Sequence, residues 1–448
     1  MKKGDINWEK IEREATDYLS QYLQIDTTNP PGNESRGAMF LKELLGREGI
    51  PNDIIESQYG RGNLIARLKG NGSKPPLLLL SHIDVVPAEG EKWSHPPFSG
   101  KLVDGEIWGR GALDCKSLGI MEAIVLIQLK KTGCLLSRDV IMAATADEEK
   151  GGTFGVGWLC KNRSELQAVE AVINEGGGVG LPGKRNNYYL CQVAEKGVCW
   201  IRIKFTGNPG HASIPREDNC ILSLGQSLDT IGKYRSRIQI PPLTKKFIQR
   251  FSGDEELAPI LKKLLQEPLR ADEALENIPD RGFKQLLGTM IRNTFVPTVV
   301  KGGEKTNVIP SECFCEIDCR MLPGETSQTI QKEIEEVLKS IPGCSIHITQ
   351  SSTPSESNTS HELFQTFEHS LTLHDPKSKL IPFISSGATD SRFFRNEQTS
   401  AFGFAPLLVD GDFAHYQDMV HGHNERISRK NLVFGIKVLY YAVRKYCA

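Results

Sequence analysis

The sequence has no run of about 20 apolar residues, which is the length that a membrane-spanning helix requires. It also has almost no net charge, because 54 basic residues are matched by 55 acidic ones. We therefore expect neither a membrane span nor a global electrostatic field that would hold nucleic acid or an anionic membrane. Small neutral or zwitterionic molecules remain open as partners.

Paired cysteines are missing as well. The eleven cysteines lie singly between Cys115 and Cys447, without the spacing of a zinc ribbon or of a small disulfide scaffold. Free buried thiols fit this pattern better. Residues 1–24 are charged and amphipathic and have no apolar core of the kind that a secretory signal contains. Together these features predict a cytoplasmic protein.

The length of 448 residues, of which 39% are hydrophobic, exceeds what one ordinary core holds, so two or more domains are expected. From residue 7 to about 195, short apolar runs alternate with helical stretches. Such runs are typical of a mostly parallel sheet that is buried on both faces. The sequence therefore predicts an α/β fold, whose main domain begins with residues 1–196.

A second pattern begins at Gly197. Its segments follow the order β-α-β-β-α-β, which indicates a small ferredoxin-like α+β domain with helices on one face, over residues 197–352. Within it, the charged segment 240–291 has the apolar spacing of a surface helix pair and carries no evident chemistry. Residues 353–448 predict a return to the main domain.

Polar side chains follow several of the apolar runs. In an open α/β sheet, ligands bind beyond the carboxyl ends of the strands, so these positions are candidates for a site. His82 and Asp84 follow four leucines, and Asp114 lies on a glycine-rich loop before a helix. The acidic residues that follow two further runs are Asp147, Glu148, Glu149 and Glu175.

Each of these residues has an ordinary alternative role. A histidine after a strand is more often a hydrogen-bonded core or surface residue than a ligand. Glu148 and Glu149 are compatible with a solvated turn, and Glu175 with a helix start. Several carboxylates at one sheet edge are nevertheless costly unless cations neutralise them. Because imidazole and carboxylate ligands suit Zn²⁺, and also Mn²⁺ or Co²⁺, the sequence predicts a metal centre.

The chain also resembles a known family, the dinuclear zinc amidohydrolases that include aminoacylase-1, succinyl-diaminopimelate desuccinylase, glutamate carboxypeptidase and carboxypeptidase S. The resemblance covers nearly the whole chain, and its motifs occur in the family's order. These motifs are SHIDVVPA, WSHPPFSG, DGEIWGRGALDCK, ATADEEKGG, NEGGG, GNPGHAS, TNVIPSECFCEIDCRMLPG, GATDSRFF and HGHNERIS. No single motif is specific, but their combination is.

The resemblance implies a set of ligands for two zinc ions per chain. Asp114 would bridge the two ions, His82 and Glu175 would complete one site, and Glu149 and His421 would complete the other. Two ions that share a carboxylate lie about 3.5–4 Å apart, close enough to hold one water between them as the nucleophile. The resemblance thus gives the predicted metal centre a specific composition.

Further roles also follow from the resemblance. Glu148 matches the general base, and Asp84 matches the carboxylate that holds the other ring nitrogen of His82. Family members keep the second histidine ligand four residues before a glutamate, which selects His421 over His423. The family often has a cis peptide bond directly after the bridging aspartate. The residue after that bond is Cys115 here, where many relatives have Asp or Met.

The 197–352 domain would contribute to the same site as a lid and dimerisation domain. His211 matches a histidine that, in dimeric relatives, reaches into the partner's site and stabilises an oxyanion, although the residue is also compatible with an ordinary turn. Asn307 and Arg320 match positions that bind a substrate carboxylate, with a strand-end salt bridge as the alternative for Arg320. Gly387 lies in a loop that would line the pocket. A homodimer is the implied assembly.

The resemblance implies a zinc-dependent hydrolase that cuts an amide bond next to a free α-carboxylate. N-acyl amino acids and short peptides are equally good candidates for its substrate. One alternative is a biosynthetic deacylase or desuccinylase that acts on an amino-acid intermediate. Another is a catalytically silent, metal-bound dimeric scaffold, which the intact set of ligands and base disfavours.

Overall fold

The four leucines that precede His82 form part of a strand in the middle of a ten-stranded sheet. The computed structural model describes residues 6–408 and 413–448. The strands of the described residues, in chain order, are β1 (Asn52–Glu56), β2 (Gly62–Leu68), β3 (Leu77–His82), β4 (Lys101–Val103), β5 (Glu106–Trp108), β6 (Val140–Thr145), β7 (Ala171–Asn174), β8 (Gly180–Pro182), β9 (Asn187–Glu195), β10 (Gly197–Thr206), β11 (Gly210–His211), β12 (Thr294–Gly302), β13 (Val308–Ile309), β14 (Glu312–Met321), β15 (Cys344–Ser352), β16 (Ser355–Glu356), β17 (Ser378–Ser385), β18 (Ser400–Gly403) and β19 (Arg426–Ser428).

Helices connect most of these strands. In chain order, the α-helices of the described residues are α1 (Trp8–Leu23), α2 (Glu34–Arg47), α3 (Lys116–Lys131), α4 (Val156–Asn162), α5 (Ser164–Gln167), α6 (Cys220–Lys233), α7 (Pro242–Arg250), α8 (Leu257–Gln266), α9 (Ala271–Glu276), α10 (Arg281–Met290), α11 (Ser327–Leu338), α12 (Glu362–His374), α13 (Phe413–Met419) and α14 (Arg429–Cys447). None of them combines the length and the apolar character that crossing a membrane takes.

The main sheet has the order β1-β2-β6-β3-β7-β18-β9-β16, and β8 and β17 pair with β9. Strands β6, β3, β7 and β18 run parallel to one another, as do β9 and β17. Successive leucines of β3 alternate between the two faces, so that Leu77 and Leu79 lie in one apolar cluster and Leu78 and Leu80 in another. The predicted mostly parallel α/β sheet, buried on both faces, is confirmed.

A second sheet contains strands from the 197–352 segment. Its order is β12-β14-β10-β15, and every neighbouring pair is antiparallel. The buried residues of β10 and β14 pack against α6 and α11 in a separate apolar cluster. The chain order β10-α6-β12-β14-α11-β15 and this sheet order are those of a ferredoxin-like fold, as predicted. We call this sheet with its two helices the lid.

The segment 240–291 differs from the predicted surface helix pair. It forms four helices, α7 to α10, whose buried side chains join the apolar cluster of the main sheet rather than that of the lid. Phe247 and Phe251 are completely buried, and α7 packs against β17. Amphipathic spacing predicts that a helix has a buried face, but it does not indicate which body covers that face.

Candidate active site

The carboxyl ends of three parallel strands bring the predicted polar residues to one edge of the main sheet. His82 is the last residue of β3, and Glu175 follows β7 directly. After β6, Asp147 has a positive φ of 69°, and the chain turns there into a short 3-10 helix that contains Glu148 and Glu149. Parallel neighbours end at the same edge, so residues distant in sequence become neighbours.

Two further loops complete this edge. Asp114 lies between β5 and α3, and His421 lies between α13 and β19. Strand β19 pairs with β5 in a small antiparallel sheet, which brings these two loops side by side. The Asp114–Cys115 peptide bond is cis, as the family resemblance suggested.

Asp114 lies between two histidines. Its Oδ1 is 2.8 Å from Nε2 of His82, and its Oδ2 is 3.0 Å from Nε2 of His421. His421 Nε2 also lies 3.2 Å from Oε2 of Glu149. The alternative histidine, His423, instead faces Glu89 at 3.5 Å. One carboxylate is therefore shared by two imidazoles that come from opposite ends of the chain.

Two groups of side chains that have no residue in common could each hold a cation, and a third group, His82, Asp114 and Cys115, shares one residue with each of them. In one group, ligand atoms of Asp114, Glu149 and His421 lie within 4.8 Å of one another. In the other, those of His82, Glu148 and Glu175 do so. Each group mixes imidazole with carboxylate, which is a donor set that suits Zn²⁺.

Burial gives this cluster an unfavourable charge balance. Desolvation raises the pKa of Glu175 to about 8 and the pKa of Glu148 well above its ordinary value. Burial also acts to raise the pKa of Asp114, but hydrogen bonds from His421 and His82 lower it below its ordinary range. Oε1 of Glu149 is buried with no hydrogen-bond partner among the described residues. These observations fit divalent cations, which would neutralise the carboxylates and satisfy that oxygen.

Asp84 is placed differently from the expectation. Nδ1 of His82 lies 2.9 Å from the main-chain oxygen of Asp84 and 3.6 Å from its carboxylate oxygen Oδ1, so the hydrogen bond is to the backbone. The carboxylate instead accepts the backbone N–H groups of Glu148 and Glu149, each at 3.1 Å. The buried Asp84 side chain therefore anchors the turn that carries both glutamates.

A buried polar network behind this turn escaped the sequence analysis. Nδ2 of Asn29 donates to Asp84 at 2.8 Å and to Asp147 at 3.2 Å. Arg61 donates to Asn29 at 3.0 Å and pairs with Glu34 at 2.5 Å. Asn29 lies in the TTNPPG stretch, but nothing in its local pattern predicts a contact 118 residues away. A second such group is the buried ion pair of Arg110 with Glu425, which the sequence analysis also missed.

The lid residues lie apart from the cluster. His211 is exposed, and its Nδ1 lies 2.7 Å from Oγ of Ser213. Asn307 is also exposed, and its carbonyl accepts the N–H of Ala212, so it lies beside His211. Among the described contacts, none joins His211 or the Asn307 side chain to the histidines and carboxylates of the same chain. Both residues belong to one exposed corner of the lid.

Arg320 lies beside the loop that contains Gly387, the loop predicted to line the pocket. It makes a two-pronged salt bridge with Asp318, at 2.7 Å and 2.9 Å, and its Nη1 donates to the carbonyl of Ser386 at 3.3 Å. Gly387, the next residue, is exposed. The strand-end salt bridge and the contact with the pocket loop thus coexist.

Asp390 and Arg392 lie two residues apart in the motif GATDSRFF, and no described salt bridge joins their side chains. Arg392 donates to the carbonyls of Thr389 and Gly151. Asp390 is buried, and its Oδ2 lies 3.4 Å from Oγ1 of Thr145. Burial raises the pKa of the Asp390 carboxyl to about 7.

A mostly parallel α/β sheet with imidazoles and carboxylates gathered at the carboxyl ends of its strands is an arrangement that suits a metal-dependent hydrolase. The family model described as Peptidase family M20/M25/M40 matches residues 78–445, and the chain belongs to this family. Its members include peptidases and aminoacylases, which hydrolyse amide bonds.

Individual relatives resemble the chain along most of its length. "Probable carboxypeptidase S-like 2" of Dictyostelium discoideum is 29% identical over 397 residues, which cover 85% of this chain and 74% of that protein. Aminoacylase-1 of Sus scrofa is 26% identical over 435 residues, which cover 95% of this chain and 94% of that protein. The crystal structure of an M20 family metallo-carboxypeptidase from Sulfolobus solfataricus superimposes with a TM-score of 0.72 at 19% identity, covering 97% and 99%. At 19% identity, the superposition on the Sulfolobus solfataricus structure shows a shared fold and nothing more.

Proposed function

We propose that this chain is a zinc-dependent hydrolase that cleaves an amide bond next to a free α-carboxylate. Its substrates would be N-acyl amino acids or short peptides. The observation that carries the proposal is the position of Asp114, whose two carboxylate oxygens each face a different histidine. Relatives named carboxypeptidase S-like and aminoacylase-1 support both substrate classes equally.

Five side chains would hold two cations per chain. His82, Asp114 and Glu175 would bind one, and Asp114, Glu149 and His421 the other, with Zn²⁺ as the proposed ion and Co²⁺ or Mn²⁺ as possible occupants. When bound, such ions polarise a carbonyl group and lower the pKa of a water molecule. His82 enters this arrangement with its Nδ1 fixed by the Asp84 backbone, which leaves Nε2 directed at Asp114.

Glu148 is the proposed general base. Its carboxylate would accept a proton from the attacking water and then donate that proton to the leaving nitrogen. The turn that holds Glu148 is fixed by the hydrogen bond from its backbone N–H to Asp84. The backbone N–H of Glu149 donates to the same carboxylate. Because the backbone of both residues is fixed, their side chains can point to different places, one as the proposed base and the other as the proposed ligand.

Arg320, Asn307 and Gly387 are the proposed contacts for the substrate. A guanidinium has five N–H donors, and the contacts of Arg320 with Asp318 and Ser386 use three of them. The remaining two can grip the α-carboxylate of a substrate. Gly387 has no side chain, so its exposed backbone allows a substrate to approach closely.

A homodimer that forms through the lid is the proposed assembly. The edge strand β12 exposes Val296 and Val300 to 53% and 55%, and the adjacent helix α6 exposes Leu222 to 57%. An apolar edge strand with unpaired backbone groups is suited to pairing with a second copy. In such a dimer, the exposed His211 would reach the active site of the partner and stabilise the developing oxyanion.

We also propose a cytoplasmic location. All eleven cysteines are free, and most of them are buried, which fits a reducing compartment. Neither nucleic acid nor a membrane is a proposed partner, because the charges of the chain nearly cancel.

The experiment that tests this function is a substrate panel. Purified protein is stripped with a chelator, reconstituted with Zn²⁺, and assayed on N-acyl amino acids, dipeptides and the same compounds with an amidated carboxyl end. We expect about two ions per chain, hydrolysis that is lost on chelation and restored by Zn²⁺, and strong discrimination against the amidated compounds.

Three outcomes contradict parts of the proposal. Two bound ions without hydrolysis of any compound would indicate a silent metal-bound scaffold. Equal activity on amidated compounds would remove the α-carboxylate from substrate recognition. Activity that survives complete removal of the metal would remove the metal from the mechanism.

A further inference from the structure

A buried ion pair links the two loops that carry Asp114 and His421. Nη1 of Arg110 lies 2.8 Å from Oε2 of Glu425, and the two side chains are 3% and 0% exposed. Among the contacts of the described residues, none joins either side chain to the carboxylate or imidazole atoms of the cluster itself. Taking such a pair out of water is costly, and its net contribution to stability is often small. The two side chains also hold the backbone of the loops on either side of the pair.

Glu425 holds the backbone of the Asp114 loop. Its Oε1 accepts the N–H groups of Leu113 at 2.7 Å and of Asp114 at 3.0 Å. Its Oε2 accepts the N–H of Gly111 at 3.1 Å, in addition to Arg110. These three contacts within four residues of one loop fix the direction in which the Asp114 side chain leaves the backbone.

Arg110 holds the backbone of the His421 loop. Its Nη2 donates to the carbonyl of Gly422 at 2.8 Å and to that of His421 at 3.3 Å. This loop needs external support, because His421 itself has a positive φ of 59°, a conformation that side chains other than glycine rarely adopt. The guanidinium satisfies two carbonyls at the strained position.

We propose that Arg110 and Glu425 are positioning residues that set the distance between Asp114 and His421. Arg110 belongs to the Asp114 loop and holds the His421 loop, whereas Glu425 belongs to the His421 loop and holds the Asp114 loop. The ion pair joins the two side chains, so the 3.0 Å contact between Asp114 Oδ2 and His421 Nε2 depends on both. This inference rests on the proposed function, since the cation held by Asp114, Glu149 and His421 is the one whose binding this spacing controls. Partners of this kind typically change metal affinity by about 10–100-fold.

The matched control is another buried arginine paired with a glutamate. Arg138 is 1% exposed and pairs with Glu170, and its Nη1 also donates to the carbonyl of Pro75. Glu170 contacts neither the Asp114 loop nor the His421 loop among the described residues. Glu170 is 36% exposed, so the match is in the buried arginine, and Glu170→Gln removes the charge that pairs with that arginine without acting on the cluster.

The test compares Zn²⁺ affinity with fold stability in metal-stripped protein. Stepwise Zn²⁺ dissociation constants come from competition with a coloured chelator, and free energies of unfolding come from urea titration. We expect Glu425→Gln to weaken one of the two Zn²⁺ sites by about 10–100-fold. Glu170→Gln is expected to change stability while leaving both Zn²⁺ constants at the wild-type value.

A second variant, Arg110→Lys, tests the hold on the His421 loop by itself. It also keeps the proposal testable if Glu425→Gln does not fold. Arg110→Lys keeps a positive charge beside Glu425 but cannot hold both carbonyls of the His421 loop in a fork. We expect it to weaken the same Zn²⁺ site as Glu425→Gln, with the other site unchanged.

The outcomes distinguish this inference from the proposed function. Wild-type affinity of Arg110→Lys for both ions, in a folded protein, would overturn the positioning role while leaving the hydrolase proposal intact. A wild-type protein that binds no Zn²⁺ would overturn both. Selective loss of one site in the loop variants, with none in Glu170→Gln, would support the positioning role.

Discussion

At the scale of single residues, the site separates two glutamates that are neighbours in the chain. Glu149 faces His421, whereas Glu148 lies in the group with His82 and Glu175. Both backbone N–H groups are held by Asp84, so neither glutamate can exchange places with the other without breaking the turn. Adjacent carboxylates with fixed, divergent directions are what separate roles as ligand and base require.

The variant Glu148→Gln tests this division of roles. We expect two bound Zn²⁺ ions per chain and turnover lower by about 10²–10⁴-fold, because an amide cannot accept the proton of the attacking water. The measurements are metal content by elemental analysis and steady-state kinetics. Glu149→Gln is the neighbouring control, and it should lose metal as well as turnover. Normal turnover in Glu148→Gln would exclude Glu148 as the base.

The network behind the turn predicts a specific pH dependence of stability. Burial, together with the nearby charge of Asp84, raises the pKa of Glu34 to about 7, against the lowering effect of Arg61. A carboxyl group whose pKa rises on folding stabilises the fold fully below its unfolded pKa, and this contribution disappears as pH rises through the folded value. Wild-type stability should therefore lose this contribution between about pH 4.5 and pH 8.

The variant Glu34→Gln lacks that titration. We expect its free energy of unfolding, relative to the wild type, to increase as the pH rises from about 5 to about 8, whatever constant offset the lost contact with Arg61 introduces. Urea titrations at several pH values measure the difference. Glu43→Gln, on the exposed side of α2, is the control. A difference in the free energy of unfolding between Glu34→Gln and the wild type that stays constant with pH would contradict the raised pKa of Glu34.

The sequence was informative about this site where residues follow strands and much less so where contacts cross the fold. His82, Glu149 and Glu175 could be selected because each follows an apolar run, and Asp114 because it lies on a glycine-rich loop before a helix. The motif resemblance added His421. The carboxylate of Asp84 was assigned to its near neighbour in sequence, yet its hydrogen bonds go to the turn after β6. Partners separated by tens or hundreds of residues, such as Asn29 with Asp147, leave no periodic signal in one sequence.

At the scale of elements, the helices α7 to α10 are part of the main core. The ring of Phe251 lies 4.4 Å from that of Tyr188 and 5.2 Å from those of Phe247 and Phe283, between centroids. Tyr188 belongs to strand β9, so these rings join the inserted helices to the main sheet. Strand periodicity and the β-α-β-β-α-β order were sufficient to predict both sheets. The docking of the inserted helices was not predictable, because it depends on a surface formed by distant segments.

The variant Phe251→Ala distinguishes a core helix from a surface helix. We expect the free energy of unfolding to fall by about 3–5 kcal/mol, because a fully buried aromatic side chain is replaced by a cavity. Urea titration of the metal-stripped protein gives the value without a contribution from ion binding. Lys245→Ala, on the exposed face of α7, should change it by less than about 0.5 kcal/mol. Equal effects of the two substitutions would contradict a shared core.

At the scale of the whole molecule, the proposed catalytic groups are divided between the cluster at the edge of the main sheet and the lid. The cluster contains the proposed ligands and the proposed base, whereas the exposed His211, an oxyanion donor by resemblance, has no described contact with the cluster of its own chain. The apolar edge of β12 offers a surface through which a second copy could supply that residue. A complete active site would then require two chains, and the requirement can be tested without a structure of the dimer.

Mixed dimers of His211→Ala and Glu148→Ala chains provide that test. Each variant alone should be nearly inactive, but a mixed dimer contains one site with both Glu148 and the His211 of the other chain intact. Random exchange of equal amounts should restore about a quarter of the wild-type activity, because half of the dimers are mixed and half of their sites are complete. Activity is measured before and after exchange through a denatured state. Val300→Asp, which places a charge on the apolar edge of β12, should give monomers by light scattering and abolish the recovery. Recovery in monomers, or none in verified mixed dimers, would show that His211 does not act across the interface.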